Sequence, residues 1–338
     1  QRLDESGKRA HWEAWHSGID VDDIEWPSFP VGGSIATRKS SAAALNAAVL
    51  GAPNLLGGSA DLAGSNGTNI KGGEPLTATD FSGNMLHFGV REHAMAALCN
   101  GMSLHGGVRP YCATFLVFHD YMRPAVRLSG LMNQPVIYVY THDSIYLGED
   151  GPTHQPVEHL MAMRLIPNLW TIRPADAKET VGAWKVALRR EDGPVALSLT
   201  RQDLPTLETS SAEAVSQGAY VLVEAEGRHA LTLLASGSEV ELALRARDVL
   251  QAQGVGTRLV SFPCWELFEA QQASYRAEVL GQAPRLSVEA GTTFGWSRYA
   301  QAHVGHDDFG ASAPAEVLAE KFGFTVDNVV ATAQALLG

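Results

Sequence analysis

The chain has 338 residues, with 37 acidic and 25 lysine or arginine side chains and a formal net charge of −12 at pH 7. This length is enough for two domains with their own cores, and the negative charge argues against a nucleic-acid partner, which normally meets a basic face. No apolar run is long enough to span a membrane, no signal-peptide pattern opens the chain, and three cysteines without metal-ligand spacing indicate reduced thiols in a cytoplasmic protein.

Residues 1–34 are polar and rich in tryptophan, and we interpret them as a linker. Their last part, IEWPSFPVGGS, has the proline and glycine content that is typical of a connection between domains. The chain begins at Gln1 and not at a methionine. We therefore expect it to be a piece of a longer polypeptide.

Strand-like and helix-like segments alternate between residues 35 and 205, which predicts a mostly parallel sheet. The strand-like segments are NLLGGSADL, RPYCATFLV, PVIYVYTHD, LWTIRPAD and GPVALSLTR. Residues 206–218 are small and polar and are predicted to be a second linker. A smaller alternating series, with one helix expected near Glu266 to Val279, follows over residues 219–338. The predicted fold class is α/β, with two parallel-sheet domains.

Two arginines and a glycine-rich turn are candidates for binding an anion. Arg38 follows the linker, and Arg201 ends the strand VALSLTR, where its fork of donors suits phosphate or carboxylate oxygens. The turn GGSADLAGSN holds Asp61 and the hydroxyl of Ser65. The alternatives are two surface ion pairs and an ordinary βα turn.

A glutamate and three aromatic residues come next in the chain. Glu92 stands at a strand-to-helix junction, where it either takes part in chemistry or only favours the helix dipole. Phe115, Phe118 and Tyr121 are three positions apart, which predicts one helical face. That face is either part of the core or a wall for a planar ring.

The segment THDSIYLGEDGPTHQP follows the buried strand PVIYVY and carries His142, Asp150 and His154. In open α/β sheets, ligands bind beyond the carboxyl ends of the strands. Because histidine exchanges protons near neutral pH, the segment predicts the wall of an active site; the alternative is a solvated loop. The histidine spacing is not that of a zinc site, and we predict no metal ligands on this chain.

Taken together, these stretches resemble a transketolase. The matching motifs occur in family order: IATRKSS, GGSADLAGSN, FGVREHAM, ATFLVFHDYMRPA, THDSIYLGEDGPTHQPVEHL, RPADAKET and LSLTRQDLP. The resemblance implies a thiamine-diphosphate fold, with a pyrimidine-binding domain over residues 35–205 and a transketolase-type C-terminal domain over residues 219–338. It also implies transfer of a two-carbon ketol unit from a ketose phosphate to an aldose phosphate in the pentose phosphate pathway.

The resemblance implies roles in cofactor binding for six residues. Glu92 matches the catalytic glutamate that bonds the aminopyrimidine ring of thiamine diphosphate. Phe115 matches the aromatic residue that stacks on this ring, and Phe118 and Tyr121 complete the pocket. Asp61 lies at the rim of the cofactor site. His154 matches a catalytic histidine near both the cofactor and the reacting carbons.

The resemblance also implies roles in binding sugar phosphates. Asp150 matches an acid that contacts a substrate hydroxyl. The residues that match the grip on the terminal phosphate are Arg38, Ser65, His142 and Arg201. Tyr146 stands where we expect a small residue in many relatives, and its ring either reshapes the substrate channel or faces away from it.

The family's diphosphate-binding domain is not matched, because the sequence contains no GDG motif. We therefore expect the ligands of Mg²⁺ and of the diphosphate on another domain, and we expect this chain to be inactive alone and to form a homodimer. Two alternatives remain open: the β subunit of a thiamine-diphosphate-dependent 2-oxo acid dehydrogenase, and a non-catalytic module that retains the fold.

Overall fold

The computed structural model describes Asp4 and residues 6–338, apart from the side chain of His11. Helix α1 (Arg9–His16) precedes the first strands. Strand β1 (Ser34–Ala36) pairs antiparallel with β8 (Asp203–Pro205), so both ends of the first α/β region meet in one small ribbon.

A six-stranded sheet organises the first region. Its strands are β2 (Leu55–Ser59), β3 (Met85–His87), β4 (Arg109–Phe115), β5 (Ile137–Thr141), β6 (Trp170–Ile172) and β7 (Val195–Leu199). Their spatial order is β3-β2-β4-β5-β7-β6, and every pair is parallel. All six carboxyl ends therefore lie along one edge.

Helices cover both faces of this sheet. They are α2 (Thr37–Gly51), α3 (Ala63–Asn66), α4 (Glu92–His105), α5 (His119–Leu131), α6 (His159–Arg164) and α7 (Ala177–Arg189). In β5, Ile137 and Val139 pack with α2 and α7, whereas Tyr138 and Tyr140 pack with α4 and α5. Alternate side chains of a strand point to opposite faces, so a strand covered on both sides is apolar throughout.

A five-stranded sheet organises the second region. Its elements are β9 (Tyr220–Val223), β10 (Leu231–Ala235), α8 (Glu239–Ala252), β11 (Thr257–Ser261), α9 (Trp265–Glu269), α10 (Ala273–Leu280), β12 (Arg285–Val288), β13 (Ala302–Val304), α11 (Ala315–Lys321) and α12 (Val326–Leu337). The strand order is β13-β12-β10-β11-β9, parallel except for β9, which runs antiparallel to β11.

The α/β fold class predicted from the sequence is confirmed, except that the second sheet is mixed and not wholly parallel, because β9 runs antiparallel to β11. Two elements also differ locally from the prediction. Strand β3 is only three residues long, and its sequence MLH carries no alternating pattern that could predict it. The single helix expected near Glu266 to Val279 is two helices, α9 and α10, because Gln272, with φ of −57° and ψ of 145°, leaves the helical backbone just before α10. No helix among the described residues has the length and apolarity that crossing a membrane requires.

Candidate active site

The candidate site lies along the carboxyl edge of the six-stranded sheet. The strands end just before or within the segments that hold the predicted site residues. Residues that are far apart in the sequence therefore lie together at one edge of the sheet. Ser65 lies in α3 after β2, Glu92 begins α4 after β3, and Phe115 ends β4. His142 directly follows β5, and Arg201 follows β7 by two residues.

Phe115, Phe118 and Tyr121 form a row of near-parallel rings, here called the aromatic ladder. The ring centroids of Phe115 and Phe118 are 5.8 Å apart at an interplanar angle of 6°, and those of Phe118 and Tyr121 are 5.9 Å apart at 22°. The three rings do not lie on one face of an α-helix, as the sequence predicted. Phe115 ends a strand, and a 3₁₀ turn over Leu116–Phe118 leads into α5. Because a 3₁₀ turn has three residues, side chains three apart eclipse.

The exposure of the ladder increases from Phe115 to Tyr121. Phe115 is 8% exposed, whereas Tyr121 is 64% exposed. His142 stacks on Phe115, with ring centroids 3.7 Å apart. His154 meets Phe115 and Phe118 edge-on at 6.3 and 5.6 Å. Both predicted histidines therefore lie against the same aromatic surface.

A hydrogen-bond chain orients the ring of His142. Ser59 donates to the carbonyl of Ala113 and accepts from the amide nitrogen of Asn66 at 2.7 Å, which fixes the orientation of that amide. The hydroxyl of Thr141 donates to Asn66 Oδ1 at 2.7 Å. Since this hydroxyl has given its proton, it accepts from His142 Nδ1–H, 2.8 Å away. In the neutral ring Nε2 is therefore the unprotonated nitrogen.

Positive charge converges around His142. Burial, together with the nearby Arg38, Arg201 and His154, lowers the pKa of His142 to about 3. The pKa of Arg38 is lowered by burial first and then by Arg201. Arg38 Nη1 donates to the carbonyl oxygen of Ser65 at 2.9 Å. Two guanidinium groups that repel one another beside a buried, neutral imidazole form an arrangement that favours an anion.

Among the described residues, three predicted site residues form no hydrogen bond with the aromatic ladder or with the arginines near His142. Glu92 is 8% exposed in the first turn of α4. Asp61 is exposed and has a left-handed backbone with φ of 60°. Asp150 is exposed at the end of the 3₁₀ helix Ile145–Asp150. In the part of the chain that the structure describes, no hydrogen bond or ring contact joins these carboxylates to the ladder or to the arginines.

The segment that carries His142 is tied to the second sheet through a buried arginine that the sequence did not single out. Arg173 Nε donates to Asp143 Oδ2 at 2.8 Å, next to His142. Its Nη1 bonds Glu239 and donates to the carbonyl of Ser236 at 2.9 Å. Burial alone would lower the pKa of Arg173, but Glu239 and Asp143 outweigh it and raise the pKa. These contacts are here called the Arg173 brace.

Tyr146 faces away from the aromatic ladder. Its ring packs against the second region, with its centroid 6.2 Å from that of Phe324. It therefore does not reshape the surface on which His142 and His154 lie.

Comparison with known proteins agrees with this fold. The family model "Transketolase, pyrimidine binding domain" matches residues 33–206, and the model "Transketolase-like TK C-terminal domain" matches residues 218–325. The transketolase of Halalkalibacterium halodurans is 54% identical over 93% of this chain. The aligned part is 48% of that relative, so the chain spans about half the length of the curated relatives it matches.

Two solved structures are similar to this chain over 90% or more of its length. A transketolase from Leishmania mexicana is 44% identical, with a TM-score of 0.94 over 99% of this chain and 50% of that one. A structure described as a split-gene transketolase, inactive β4 tetramer, is 27% identical, with a TM-score of 0.73 over 90% of this chain and 98% of that one. The motifs, the two sheets and these matches agree: the chain belongs to the transketolase family.

Proposed function

We propose that this chain forms the pyrimidine-binding and sugar-binding half of a transketolase active site. The complete enzyme would transfer a two-carbon ketol unit from a ketose phosphate to an aldose phosphate in the pentose phosphate pathway of the cytoplasm. The observation that carries this proposal is the convergence of Arg38, Arg201 and His142 beside the aromatic ladder. Such an arrangement suits a substrate with a phosphate at one end and reacting carbons near a planar cofactor.

The ladder fits the pyrimidine end of thiamine diphosphate. Its rings present flat apolar faces, and Tyr121 leaves the outer face accessible. We propose that Phe115, Phe118 and Tyr121 exclude water around the pyrimidine, with Asp61 at its rim. The carboxylate of Glu92 would hold a proton at a ring nitrogen. When bound, the cofactor supplies an electron sink for the carbanion that ketol transfer requires.

The charged end fits the phosphate of the sugar. Arg38 and Arg201 would pair with phosphate oxygens, with Ser65 beside them. His142 Nε2 carries a lone pair in the neutral ring, so it donates to an anion only when it takes up a proton. A bound phosphate dianion would favour that protonation and raise the pKa that burial and the arginines lower. Asp150 would contact a sugar hydroxyl, and His154 would lie near the reacting carbons.

We propose that the remainder of the site comes from a diphosphate-binding domain that also holds Mg²⁺, so that this chain is inactive alone. The similar structure described as an inactive β4 tetramer of a split-gene transketolase supports this proposal. We further propose a homodimer. Six large apolar side chains on and beside α4 and α5 support it, being 45–75% exposed: Phe81, Val90, Leu98, Leu104, Leu128 and Leu131.

The proposal is tested with the chain mixed with the separately produced diphosphate-binding half of the Halalkalibacterium halodurans transketolase, thiamine diphosphate and Mg²⁺. Ketol transfer is measured for the wild type, for Arg201→Gln, and for the control Arg189→Gln, an exposed arginine paired with Asp22. Loss of a charged phosphate contact should raise the KM for a ketose phosphate by about 10-fold or more. The KM for a non-phosphorylated ketose should change little.

The control Arg189→Gln should behave as the wild type. An unchanged KM in Arg201→Gln contradicts the phosphate role. Faster turnover of a 2-oxo acid than of a ketose phosphate would favour the alternative that this chain is the β subunit of a 2-oxo acid dehydrogenase. A mixture that binds the second half and turns over neither donor would favour a non-catalytic module.

A further inference from the structure

One histidine and two carboxylates meet between the start of α5 and the start of α6. Asp120 lies in the first turn of α5, Glu158 precedes α6, and His159 begins it. One potential ligand atom from each residue lies within 4.8 Å of those of the other two. Asp120 Oδ2 is 3.2 Å from His159 Nε2, and Glu158 Oε2 is 3.8 Å from His159 Nδ1.

His159 is the feature that points to a ligand. Its side chain is 5% exposed, and among the described residues neither ring nitrogen has a hydrogen-bond partner of proper geometry. The Asp120 oxygen is close enough to Nε2, but its direction does not meet the criterion for a hydrogen bond. Buried polar nitrogens are normally paired, and an unpaired one costs free energy. A group that binds the lone pair of an imidazole nitrogen would remove that cost.

The two carboxylates differ from the histidine in being accessible. The side chains of Asp120 and Glu158 are 58% and 61% exposed. An acid in the first turn of a helix is favoured by the helix dipole, which accounts for Asp120 but not for the unpaired imidazole beside it. A buried nitrogen ligand beside two carboxylates open to water leaves a path by which an ion can enter.

We propose that His159, Asp120 and Glu158 bind a divalent transition-metal ion of the Zn²⁺ class. Bonds from Zn²⁺ to nitrogen and oxygen are about 2.0–2.2 Å, so neighbouring ligand atoms in a tetrahedral shell lie about 3.3 Å apart. The distance of 3.2 Å between His159 Nε2 and Asp120 Oδ2 matches this spacing. Glu158 lies nearer Nδ1, and its exposed side chain would turn to complete three protein ligands, with water as the fourth.

The donor set selects among metals. Mg²⁺ and Ca²⁺ prefer shells made of oxygen alone, whereas imidazole with carboxylates suits Zn²⁺ and its neighbours in the first transition row. A bound ion would also link two segments of the candidate site. Asp120 lies between Phe118 and Tyr121 in the chain, and Glu158 is four residues after His154. The ion would thus hold the ladder and the segment of His154 in one relative position.

The purified chain, stripped with a chelator, is titrated with Zn²⁺ by calorimetry, and with Co²⁺ by visible absorption, which reports nitrogen and oxygen ligands. We expect one saturable site and a higher melting temperature with Zn²⁺, because ligands that bind the folded state stabilise it. His159→Gln and Asp120→Asn should each weaken Zn²⁺ binding by about 10-fold or more, since even changes outside the ligand shell cost this much. Mg²⁺ should not compete.

The matched control is His303→Gln. His303 also lies near a carboxylate, that of Asp307, but its Nδ1 is already hydrogen-bonded to Ser287 at 2.8 Å. This variant should bind Zn²⁺ as the wild type does. Asp120→Asn changes an exposed side chain and keeps the test decisive if His159→Gln does not fold. No saturable binding, or binding that His159→Gln and Asp120→Asn leave unchanged, overturns the proposal.

Discussion

At the scale of single residues, the chemistry of the candidate site depends on how His142 is held. Its backbone is left-handed, with φ of 59°, which is uncommon outside glycine and turns the ring back onto Phe115. Thr141 and Asn66 then select the tautomer in which Nδ1 carries the proton. The sequence indicated His142 as a candidate but not Thr141 or Asn66, because their side chains meet only after three strands are side by side.

The buried state of His142 predicts a pH dependence of stability. Burial lowers its pKa in the folded chain to about 3, whereas an unfolded histidine titrates near about 6.5. Below about pH 6.5 the unfolded state binds more protons than the folded state. The free energy of unfolding therefore decreases as the pH is lowered, by up to about 1.4 kcal/mol per pH unit, until about pH 3. Above about 6.5 this effect is absent.

Replacing His142 by Asn removes this linkage. The loss of stability between pH 7 and pH 5, measured from urea unfolding, should be smaller in His142→Asn than in the wild type by about 2 kcal/mol. His119, whose pKa burial also lowers to about 3, provides a second case in His119→Gln. Identical pH slopes in the wild type and both variants would show that these rings are not held neutral.

At the scale of elements, the Arg173 brace joins the two sheets. The arginine comes after β6 in the first region and meets the turn between β10 and α8 in the second. Gly237 in that turn has φ of 57°, and a Cβ on it would lie 2.6 Å from the guanidinium. The turn thus needs glycine both for its backbone and for the close approach of Arg173. The second sheet thereby supports Asp143, the neighbour of His142.

Removing the arginine alone should be strongly destabilising. Arg173→Met leaves the carboxylates of Asp143 and Glu239 buried without a countercharge, and breaking a buried pair in this way costs about 3–5 kcal/mol. The triple variant Arg173→Met, Asp143→Asn, Glu239→Gln removes the charges together and should recover much of the loss. Guanidinium unfolding measures both. A loss below about 1 kcal/mol in Arg173→Met would contradict a brace held by charge.

The elements could be predicted from the sequence to the extent that their patterns are local. Strand β5 lies within the predicted segment PVIYVYTHD, and helix α4 begins at Glu92, where the sequence predicted a helix to begin. Buried apolar runs and helix starts are properties of short segments. The sequence predicted a strand before Glu92 but not the bounds of β3, since those three residues are a strand only through pairing with β2. The ladder was predicted by its spacing of three, but its geometry depends on a 3₁₀ turn that propensity does not reveal.

At the scale of the whole molecule, the proposed homodimer explains why α4 and α5 expose large apolar side chains. Leu98 in α4 is 54% exposed, and Leu131 at the end of α5 is 67% exposed. The double variant Leu98→Asp, Leu131→Asp should therefore give monomers in analytical ultracentrifugation, because a buried unpaired carboxylate opposes association.

Leu50→Asp serves as the control for that change. Leu50 is 88% exposed at the end of α2, away from α4 and α5. The Leu50→Asp variant should have the same oligomeric state as the wild type. A monomeric wild type, or an oligomer that survives both aspartates, would contradict an interface at this face.

If this chain carries the proposed half of a transketolase site, ketol transfer should appear when the other half is supplied. Turnover is measured for the chain alone, for the separately produced diphosphate-binding half of the Halalkalibacterium halodurans transketolase alone, and for the two mixed with thiamine diphosphate and Mg²⁺. We predict transfer only in the mixture, and its loss when Glu92→Gln replaces the wild-type chain. Transfer by the purified chain alone, or undiminished transfer with Glu92→Gln, would show that this chain does not supply the half of the site proposed for it.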